Sequence, residues 1–481
     1  MTILVVVLLY VAALFAISRW SGRRATNVTF FRGERRSPWW LVAFGMVGAS
    51  ISGVTFVSVP GMVLTSAMTY LQLCLGFILG YLTIAFVLLP VYYRLNLTSI
   101  YSYLGNRLGR QSYLTGAWFF LLSKMAGASL KFYVVCIILQ RLVLDAYGVP
   151  FALTVVALVL LIWLYTRRGG IRTLVFTDTF QTFCLFTALL LMIWQALDSL
   201  QLSVPEAVSA ILADDRSRVL VFDDWLSPQN FWKQLLSGLF IVVVMTGLDQ
   251  DMMQKNLTCR TLREAQKDMC CYGVAFLPAN MLFLALGLLL AHLFEGQGVA
   301  LPEKGDELMI MFVQQEAALS TILFPVSILF VIGIVAASFS SADSALTSLT
   351  TCYCVDICQH PADERLRRQV HIVVCLLFVL SILLFHAVNS TSLIDAIYTL
   401  VSYTYGPLLG LFSYGLFSRC QVCDRLVPYV CLASPCLCFL ASYIASEVYG
   451  YHFGYELLLL NGGLCFLGLW LTSLCALPRK K

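Results

Sequence analysis

The sequence predicts an all-α protein that crosses a membrane about thirteen times. Of its 481 residues, 60% are apolar and only 12% are charged, whereas a soluble domain carries roughly 25% charged residues. The apolar residues form thirteen segments, and most of them exceed the length of about 20 residues that a spanning helix needs. The basic residues fall mainly in alternate loops. These features exclude a soluble enzyme and a disordered chain, and the thinly spread net charge of +5 argues against a nucleic-acid partner.

The thirteen predicted spans are numbered in chain order as segments 1 to 13. Segments longer than the minimum indicate tilted or interrupted helices. The segments cover residues 2–19, 38–62, 68–93, 113–144, 150–166, 171–198, 229–253, 270–293, 319–350, 370–388, 393–418, 427–448 and 455–477.

The distribution of Lys and Arg predicts the orientation. With the N-terminus outside, 24 of the 31 basic residues fall on the inner side, as the positive-inside rule requires. An odd number of spans then places the C-terminus, with Arg479, Lys480 and Lys481, in the cytoplasm. The longest loop, 199–228, is acidic and too short for a soluble domain, so we expect the function to lie within the bilayer. The short termini suggest a bacterial inner (plasma) membrane.

Segment 2 carries small and polar residues at the depth where a spanning helix is usually most apolar. The run from Gly48 to Gly53 is typical either of a close helix–helix contact or of an interrupted helix with exposed carbonyl oxygens. Segment 7 has a corresponding irregularity at 245–250. Segment 7 follows segment 2 by five segments. Because five is an odd number, the two units that these segments begin start on opposite sides of the membrane, which indicates an inverted repeat.

This repeat divides the chain into five parts. Residues 1–37 form an extra N-terminal helix and an inner loop, and 38–198 form the first five-helix repeat. An outer loop at 199–228 leads to the second repeat at 229–418. Two further helices occupy 419–481.

Segment 9 contains the densest group of polar residues, between Ala336 and Ser344. Helical spacing places four of its small residues on one face: Ala337, Ser340, Ser341 and Ser344. Their oxygens could complete a cation site with segment 2, or the hydroxyls could bond to their own helix. Asp343 in this segment and Asp178 in segment 6 lie at comparable depth, and they could form a second cation or proton site or bond to neighbouring helices.

Two lysines lie in segment 4. Lys124 and Lys131 are seven residues apart and therefore share one helix face near the middle of the membrane. An ammonium group at that depth needs an internal carboxylate or an anionic substrate. An internal partner is favoured for Lys124, and both alternatives stay open for Lys131.

Four motifs in this order and topology resemble the sodium:solute symporter family over nearly the whole chain. They are 48–53, 168–181 with its Arg-Gly-Gly-Ile and Thr-Asp-Thr-Phe-Gln, 247–254, and 340–344. The resemblance implies a LeuT-type fold with a core of two inverted five-helix halves, here segments 2–11. It also implies Na⁺ as the coupling ion, transport of a solute, and no enzymatic activity.

The resemblance further implies a sodium site between segments 2 and 9. Backbone carbonyls of Gly48, Ile51 and Ala337 and hydroxyls of Ser340 and Ser341 would be its ligands. Some relatives hold a second sodium, and the matching positions for this second sodium or proton site are Asp178, Ser340, Asp343 and Ser344. Asp343 stands where such relatives can have a serine, so this ligand set is altered.

For the substrate, the resemblance is nearest to the sialic acid symporters of the family. The positions that match their substrate site are Ser50, Ser52, Thr55, Gln72 and Lys131. Cys74 and Met245 stand where sugar transporters of the family carry an acidic residue and a tyrosine, which counts against a sugar held in their manner.

These observations predict Na⁺-coupled symport of a small organic solute, a carboxylate or acidic sugar such as sialic acid, by a protein that acts as a monomer. The alternatives are Na⁺-coupled transport of a neutral sugar or amino acid, and a transporter-like membrane sensor with a separate signalling partner. A channel is disfavoured by the inverted repeat.

Overall fold

The computed structural model describes residues 2–22, 26–319, 326–388 and 393–474, and within these ranges the chain is helical without a single β-strand. Short 3₁₀ and π-helical turns join many of the helices. Some residues used in the sequence analysis lie outside the described ranges. They are the basic residues at 23–24 and 479–481 and residues 320–325 of segment 9. The α-helices are α1 (Thr2–Ser21), α2 (Asn27–Arg32), α3 (Trp39–Ser50), α4 (Gly53–Gly61), α5 (Val63–Ser66), α6 (Tyr70–Thr83), α7 (Leu89–Arg94), α8 (Ser102–Arg107), α9 (Arg110–Leu139), α10 (Phe151–Gly169), α11 (Ile171–Leu200), α12 (Val204–Ala213), α13 (Phe231–Val242), α14 (Gln250–Asn256), α15 (Leu262–Gly296), α16 (Leu308–Leu319), α17 (Val326–Cys352), α18 (Glu364–Val388), α19 (Leu393–Phe417), α20 (Val427–Tyr449) and α21 (Leu457–Leu474).

The predicted interruption of segment 2 is present. Helix α3 ends at Ser50, Ile51 takes an extended conformation with ψ of 95°, and α4 begins at Gly53. The side chain of Ser52 caps α4 by accepting a hydrogen bond of 3.4 Å from the Thr55 amide. Because the last carbonyls of a helix have no partner within it, this break leaves backbone oxygens available between the two half-helices.

Segment 7 is interrupted as well. Helix α13 continues as a π-helical turn over Val243–Gly247, and α14 then begins at Gln250 with a bend of 71°. The Asp249 side chain caps α14 by accepting a hydrogen bond of 2.8 Å from the Asp251 amide. A polar residue and a glycine, Thr246 and Gly247, thus lie directly before the break, in the region that the sequence indicated.

The predicted number of spans is not confirmed. Eight helices of the described chain are long and apolar enough to cross a membrane, or nine if the bent pair at 231–256 counts as one span. Part of the difference has a physical cause, because the break at Ile51 leaves α3 with only 12 residues. Hydropathy measures the length of an apolar stretch and does not detect where the helix within it stops.

Helix α17 lies at the centre of the bundle, because 83% of the residues in its most apolar stretch of 18 residues are buried. Helix α3 packs against both α17 and α11, and the approach to α11 is close. A β-carbon at Gly48 would overlap the side chain of Thr182, and one at Gly45 would lie 3.1 Å from the Asp178 β-carbon. Glycine at these positions therefore brings the end of α3 against the polar face of α11.

The outer loop is tied to the bundle by charged groups. Asp214, which follows α12, contacts Arg216 at 2.7 Å and His292 of α15 at 2.6 Å, and Arg216 also contacts Glu295 at 2.9 Å. The hydrogen bonds from Arg216 hold the pKa of Asp214 well below its usual range, and the hydrogen bond to His292 adds to this effect. Asp214 is thus ionised at neutral pH, and its contacts join the outer loop to α15.

Candidate functional site

A cavity of about 140 Å³ lies at the two helix breaks. The first break contributes Ala49, Ser50 and Ser52, and the second contributes Met245, Thr246, Asp249 and Asp251. The cavity therefore has hydroxyl, carboxylate and apolar groups on its wall, which suits a polar organic ligand.

Four of the five predicted substrate residues line this cavity, and they are Ser50, Ser52, Thr55 and Lys131. The hydroxyl of Ser50 is hydrogen-bonded to that of Tyr272, and the hydroxyls of Ser52 and Thr55 lie 3.4 Å apart. The first break therefore presents a row of hydroxyl groups to the cavity.

Gln72, the fifth predicted substrate residue, does not line this cavity. This side chain is fully buried away from the cavity, where it donates a hydrogen bond of 2.9 Å to the Gln229 carbonyl and accepts one of 3.0 Å from the Val221 amide. Its amide holds the outer loop in place. The sequence showed a polar residue in an apolar segment, but it could not show that a loop 150 residues later would satisfy it.

Lys124 has internal carboxylate partners, the alternative that the sequence favoured for it. Its Nζ lies 2.7 Å from Asp251 Oδ2 and 3.2 Å from Asp249 Oδ2. The hydroxyl of Tyr405 donates a further hydrogen bond of 2.7 Å to Asp249. One ammonium group thus joins α9 to both carboxylates that flank the start of α14.

Lys131 lines the cavity two turns further along α9. In the described part of the chain, no carboxylate oxygen lies within 4.0 Å of its ammonium group. Its neighbour Lys124 already contacts both carboxylates of the cavity wall. Lys131 is therefore the cationic group of the cavity that is available to a ligand.

The predicted sodium ligands come from elements that meet in the structure. Ser341 of α17 donates a hydrogen bond of 3.1 Å to the carbonyl oxygen of Ala49, next to the break that holds Gly48 and Ile51. Ala337 lies one turn before Ser341 on α17. The described residues thus place hydroxyl groups beside helix-terminal carbonyls, and such hard oxygen ligands suit Na⁺.

The residues of the predicted second site form two separate groups. Ser340 donates a hydrogen bond of 2.8 Å to Asp178 Oδ1. Asp343 accepts a hydrogen bond of 2.6 Å from the Tyr165 hydroxyl and one of 3.3 Å from Ser344. The two aspartates therefore have different immediate partners.

Sequence reasoning missed the cationic partner of Asp178. The Nζ of Lys255 lies 2.8 Å from Asp178 Oδ2, and both side chains are almost fully buried. Segment 7 was predicted to end at residue 253, which left Lys255 outside the span, whereas it belongs to α14. Its position directly after an interrupted apolar segment was the only available signal.

Comparisons with known proteins address the family and the fold of the chain. Residues 30–421 match the sequence model of the sodium:solute symporter family. The chain is 25% identical to the sodium/sialic acid symporter NanT of Aliivibrio fischeri over 431 residues, which is 85% of this chain and 82% of that protein. It is 27% identical to the human sodium/iodide cotransporter over 248 residues, 51% of this chain and 37% of that protein.

Among solved structures, the fold is similar to the substrate-bound, outward-open state of a Na⁺-coupled sialic acid symporter. The TM-score is 0.83 at 20% identity, and the match covers 100% of this chain and 99% of the other. This likeness confirms the predicted LeuT-type fold.

Proposed function

Because the chain belongs to the sodium:solute symporter family, a family of Na⁺-coupled membrane transporters, we propose that it takes up a small organic anion together with Na⁺. The anion is a carboxylate or an acidic sugar such as sialic acid. The observation that carries this proposal is Lys131, which faces the cavity without a carboxylate partner among the described residues. A partly buried ammonium group without a counter-ion in a membrane protein is costly, and a substrate carboxylate would offset that cost.

The remaining wall of the cavity fits the rest of such a molecule. Ser50, Ser52 and Thr55 offer hydroxyl groups to a polyhydroxylated substrate. Lys124 does not compete for the carboxylate, since two aspartates already neutralise it. Lysine is a point charge that cannot form the paired hydrogen bonds of arginine, so the hydroxyl groups would fix the orientation of the substrate.

In this proposal Na⁺ binds between the break after α3 and the Ser340–Ser341 face of α17. Its ligands are the carbonyls of Gly48, Ile51 and Ala337 and the two hydroxyls. Ser50 and Ser52 of the same break line the substrate cavity. Binding of either ligand would therefore order the other site, and such reciprocal coupling typically amounts to about 1–3 kcal/mol.

Transport would then proceed by alternating access. Na⁺ and substrate enter from outside, the repeats 38–198 and 229–418 move against each other, and low internal Na⁺ favours release. The membrane potential adds about 2.3 kcal/mol per charge and 100 mV. The orientation is the one that the basic residues predict, in a bacterial inner membrane, with the monomer as the transporting unit.

The testing experiment measures thermal unfolding of the purified protein with Na⁺ or K⁺ and a panel of carboxylates, sialic acids, neutral sugars and amino acids. A ligand that binds the folded state raises the unfolding temperature. We expect an anion to stabilise the protein only in the presence of Na⁺. Stabilisation by a neutral sugar alone would contradict the substrate class, and equal stability in Na⁺ and K⁺ would contradict sodium coupling.

A further inference from the structure

We propose that Lys255 is a positioning residue that couples Na⁺ binding to closure of the α14 end of the cavity. It acts through Asp178 and Ser340, and it contacts neither the ion nor the substrate. The inference rests on the proposed Na⁺ site, and it assigns a role to an ion pair that the transport proposal leaves unused.

The first step of the argument is the geometry around Asp178. Its two oxygens face different elements, because Oδ1 accepts the hydrogen bond from Ser340 of α17 and Oδ2 faces the ammonium group of Lys255 on α14. The side chain of Asp178 is 1% exposed and that of Lys255 is 2% exposed. One carboxylate therefore connects the proposed ion site with α14 without access to solvent.

The second step is the chemistry of the Ser340 hydroxyl. A hydroxyl group has one proton to donate and two lone pairs to offer. Oδ1 of Asp178 accepts the proton of Ser340 and leaves the lone pairs of the hydroxyl for a cation. Lys255 fixes the orientation of this carboxylate, because its ammonium group lies against the other oxygen. Without that contact the carboxylate is free to turn away from Ser340, and the hydroxyl proton is no longer held away from the cation.

The third step concerns α14, which is short, bent away from α13 and held by polar contacts. Five of its seven side chains bond to other elements of the chain. They are Gln250, Asp251, Gln254, Lys255 and Asn256. Gln254 donates to the Phe31 carbonyl at 2.8 Å and to Thr351 at 3.1 Å, and Gln250 donates to the Thr98 carbonyl at 3.0 Å. Water can replace such hydrogen bonds when a helix moves.

These steps define a sequence of dependent contacts. With α14 closed, Lys255 holds the Asp178 carboxylate in place, and Asp178 keeps the Ser340 hydroxyl oriented to bind Na⁺. When α14 moves, Lys255 leaves Asp178, the hydroxyl of Ser340 loses its orientation, and the affinity for Na⁺ falls. By linkage, Na⁺ must then favour the closed position of α14 to the same extent.

Cys259 provides a natural reporter for this movement. It lies three residues after α14, its side chain is fully buried, and its backbone is bridged to that of Ser37. Alkylation of Cys259 in the full-length protein in proteoliposomes, quantified by mass spectrometry for that peptide, would therefore measure opening at this end. The informative quantity is the ratio of the alkylation rates in K⁺ and in Na⁺.

We expect Na⁺ to slow alkylation at least about 5-fold in the wild type and less than about 2-fold in K255M, since couplings between sites usually correspond to about 5–150-fold. K255R keeps the charge and should keep most of the response. Q254L is the matched control, because Gln254 holds α14 but does not contact Asp178. It should raise the alkylation rate in both salts and retain the Na⁺ response.

K255M leaves a buried carboxylate without a counter-ion and can fail to fold. The charge-balanced variant D178N/K255M avoids this problem and should fold with weakened Na⁺ binding and no Na⁺ effect on Cys259. A wild-type Na⁺ response in either K255M or D178N/K255M would overturn the inference. Absence of Na⁺-dependent thermal stabilisation in the wild type would instead contradict the proposed Na⁺ site.

Discussion

The hydroxyl of Ser341 donates a hydrogen bond of 3.1 Å to the carbonyl oxygen of Ala49. This contact joins the middle of α17 to the last turn of α3, where the helix stops and its carbonyl oxygens become available. The neighbouring Ser340 faces Asp178 instead. Of these two adjacent hydroxyls on one helix, that of Ser341 thus faces the first break and that of Ser340 faces the polar side of α11.

We expect S340A and S341A to weaken Na⁺ affinity by about 10-fold or more, since a contact to a charged group contributes about 1.5–3 kcal/mol. The Na⁺ dependence of thermal stability and of substrate uptake would measure this effect. S348A is the control, because Ser348 lies on the same helix and its hydroxyl donates to the Ala345 carbonyl of its own turn. Unchanged Na⁺ affinity in both serine variants would show that the site lies elsewhere.

We expect K131Q to lose most of the Na⁺-dependent stabilisation by an anionic substrate while stabilisation by Na⁺ alone persists. The reason is that Lys131 faces the cavity and has no carboxylate within 4.0 Å among the described residues. K131R retains the charge and should bind the anion better than K131Q. Equal substrate binding by K131Q and the wild type would remove Lys131 from the site.

We expect K124M to lower the free energy of unfolding by about 3–5 kcal/mol, the usual cost of removing one partner of a buried ion pair. Asp249 and Asp251 would both lose their cation in the cavity wall. Thermal unfolding in detergent would measure the loss. The triple variant D249N/D251N/K124M removes all three charges and should recover part of it, and a triple variant as unstable as K124M would contradict the electrostatic explanation.

The outer loop gives a pH-dependent prediction. Because the pKa of Asp214 is depressed in the folded protein, its contribution to stability is fully present above about pH 4, the usual pKa of aspartate, and is lost as the pH falls through the lower folded pKa. We therefore expect R216A to lower the unfolding temperature at neutral pH, and the difference from the wild type to shrink at strongly acidic pH.

R218A is the control for this experiment. Arg218 lies in the same loop, but its ion pair with Asp223 is mostly exposed to solvent. Its removal should therefore change the unfolding temperature little at any pH. A difference between R216A and the wild type that stays constant down to strongly acidic pH would contradict the assignment to Asp214.

The sequence contained enough information for both helix breaks and for several of the polar residues that line the cavity. Glycine and serine at 48–53 and the pair Thr246–Gly247 have local consequences for a helix, so their effect can be deduced from neighbouring residues alone. The hydroxyl face of α17 follows from helical spacing in the same way. These features depend on contacts within a few residues along the chain.

The partners of the buried polar groups could not be deduced in this way. Asp178 pairs with Lys255 and Gln72 with Val221 and Gln229, contacts that join distant parts of the chain. Depth in the membrane restricts such pairs without selecting one, because several carboxylates and ammonium groups lie at similar depth. The selection is made by helix packing, which hydropathy and charge counts do not describe.

The bend before α14 has a mechanical consequence. A helix of seven residues is about 10 Å long, so it can act as a short lever arm, and a rotation of about 30° at its hinge would displace its far end by about 5 Å. Lys255 is the sixth of these residues, and a displacement of that size exceeds its separation of 2.8 Å from Asp178. A rotation of this size at one hinge would thus be enough to separate the two charged groups, while the long helices of the bundle keep their positions.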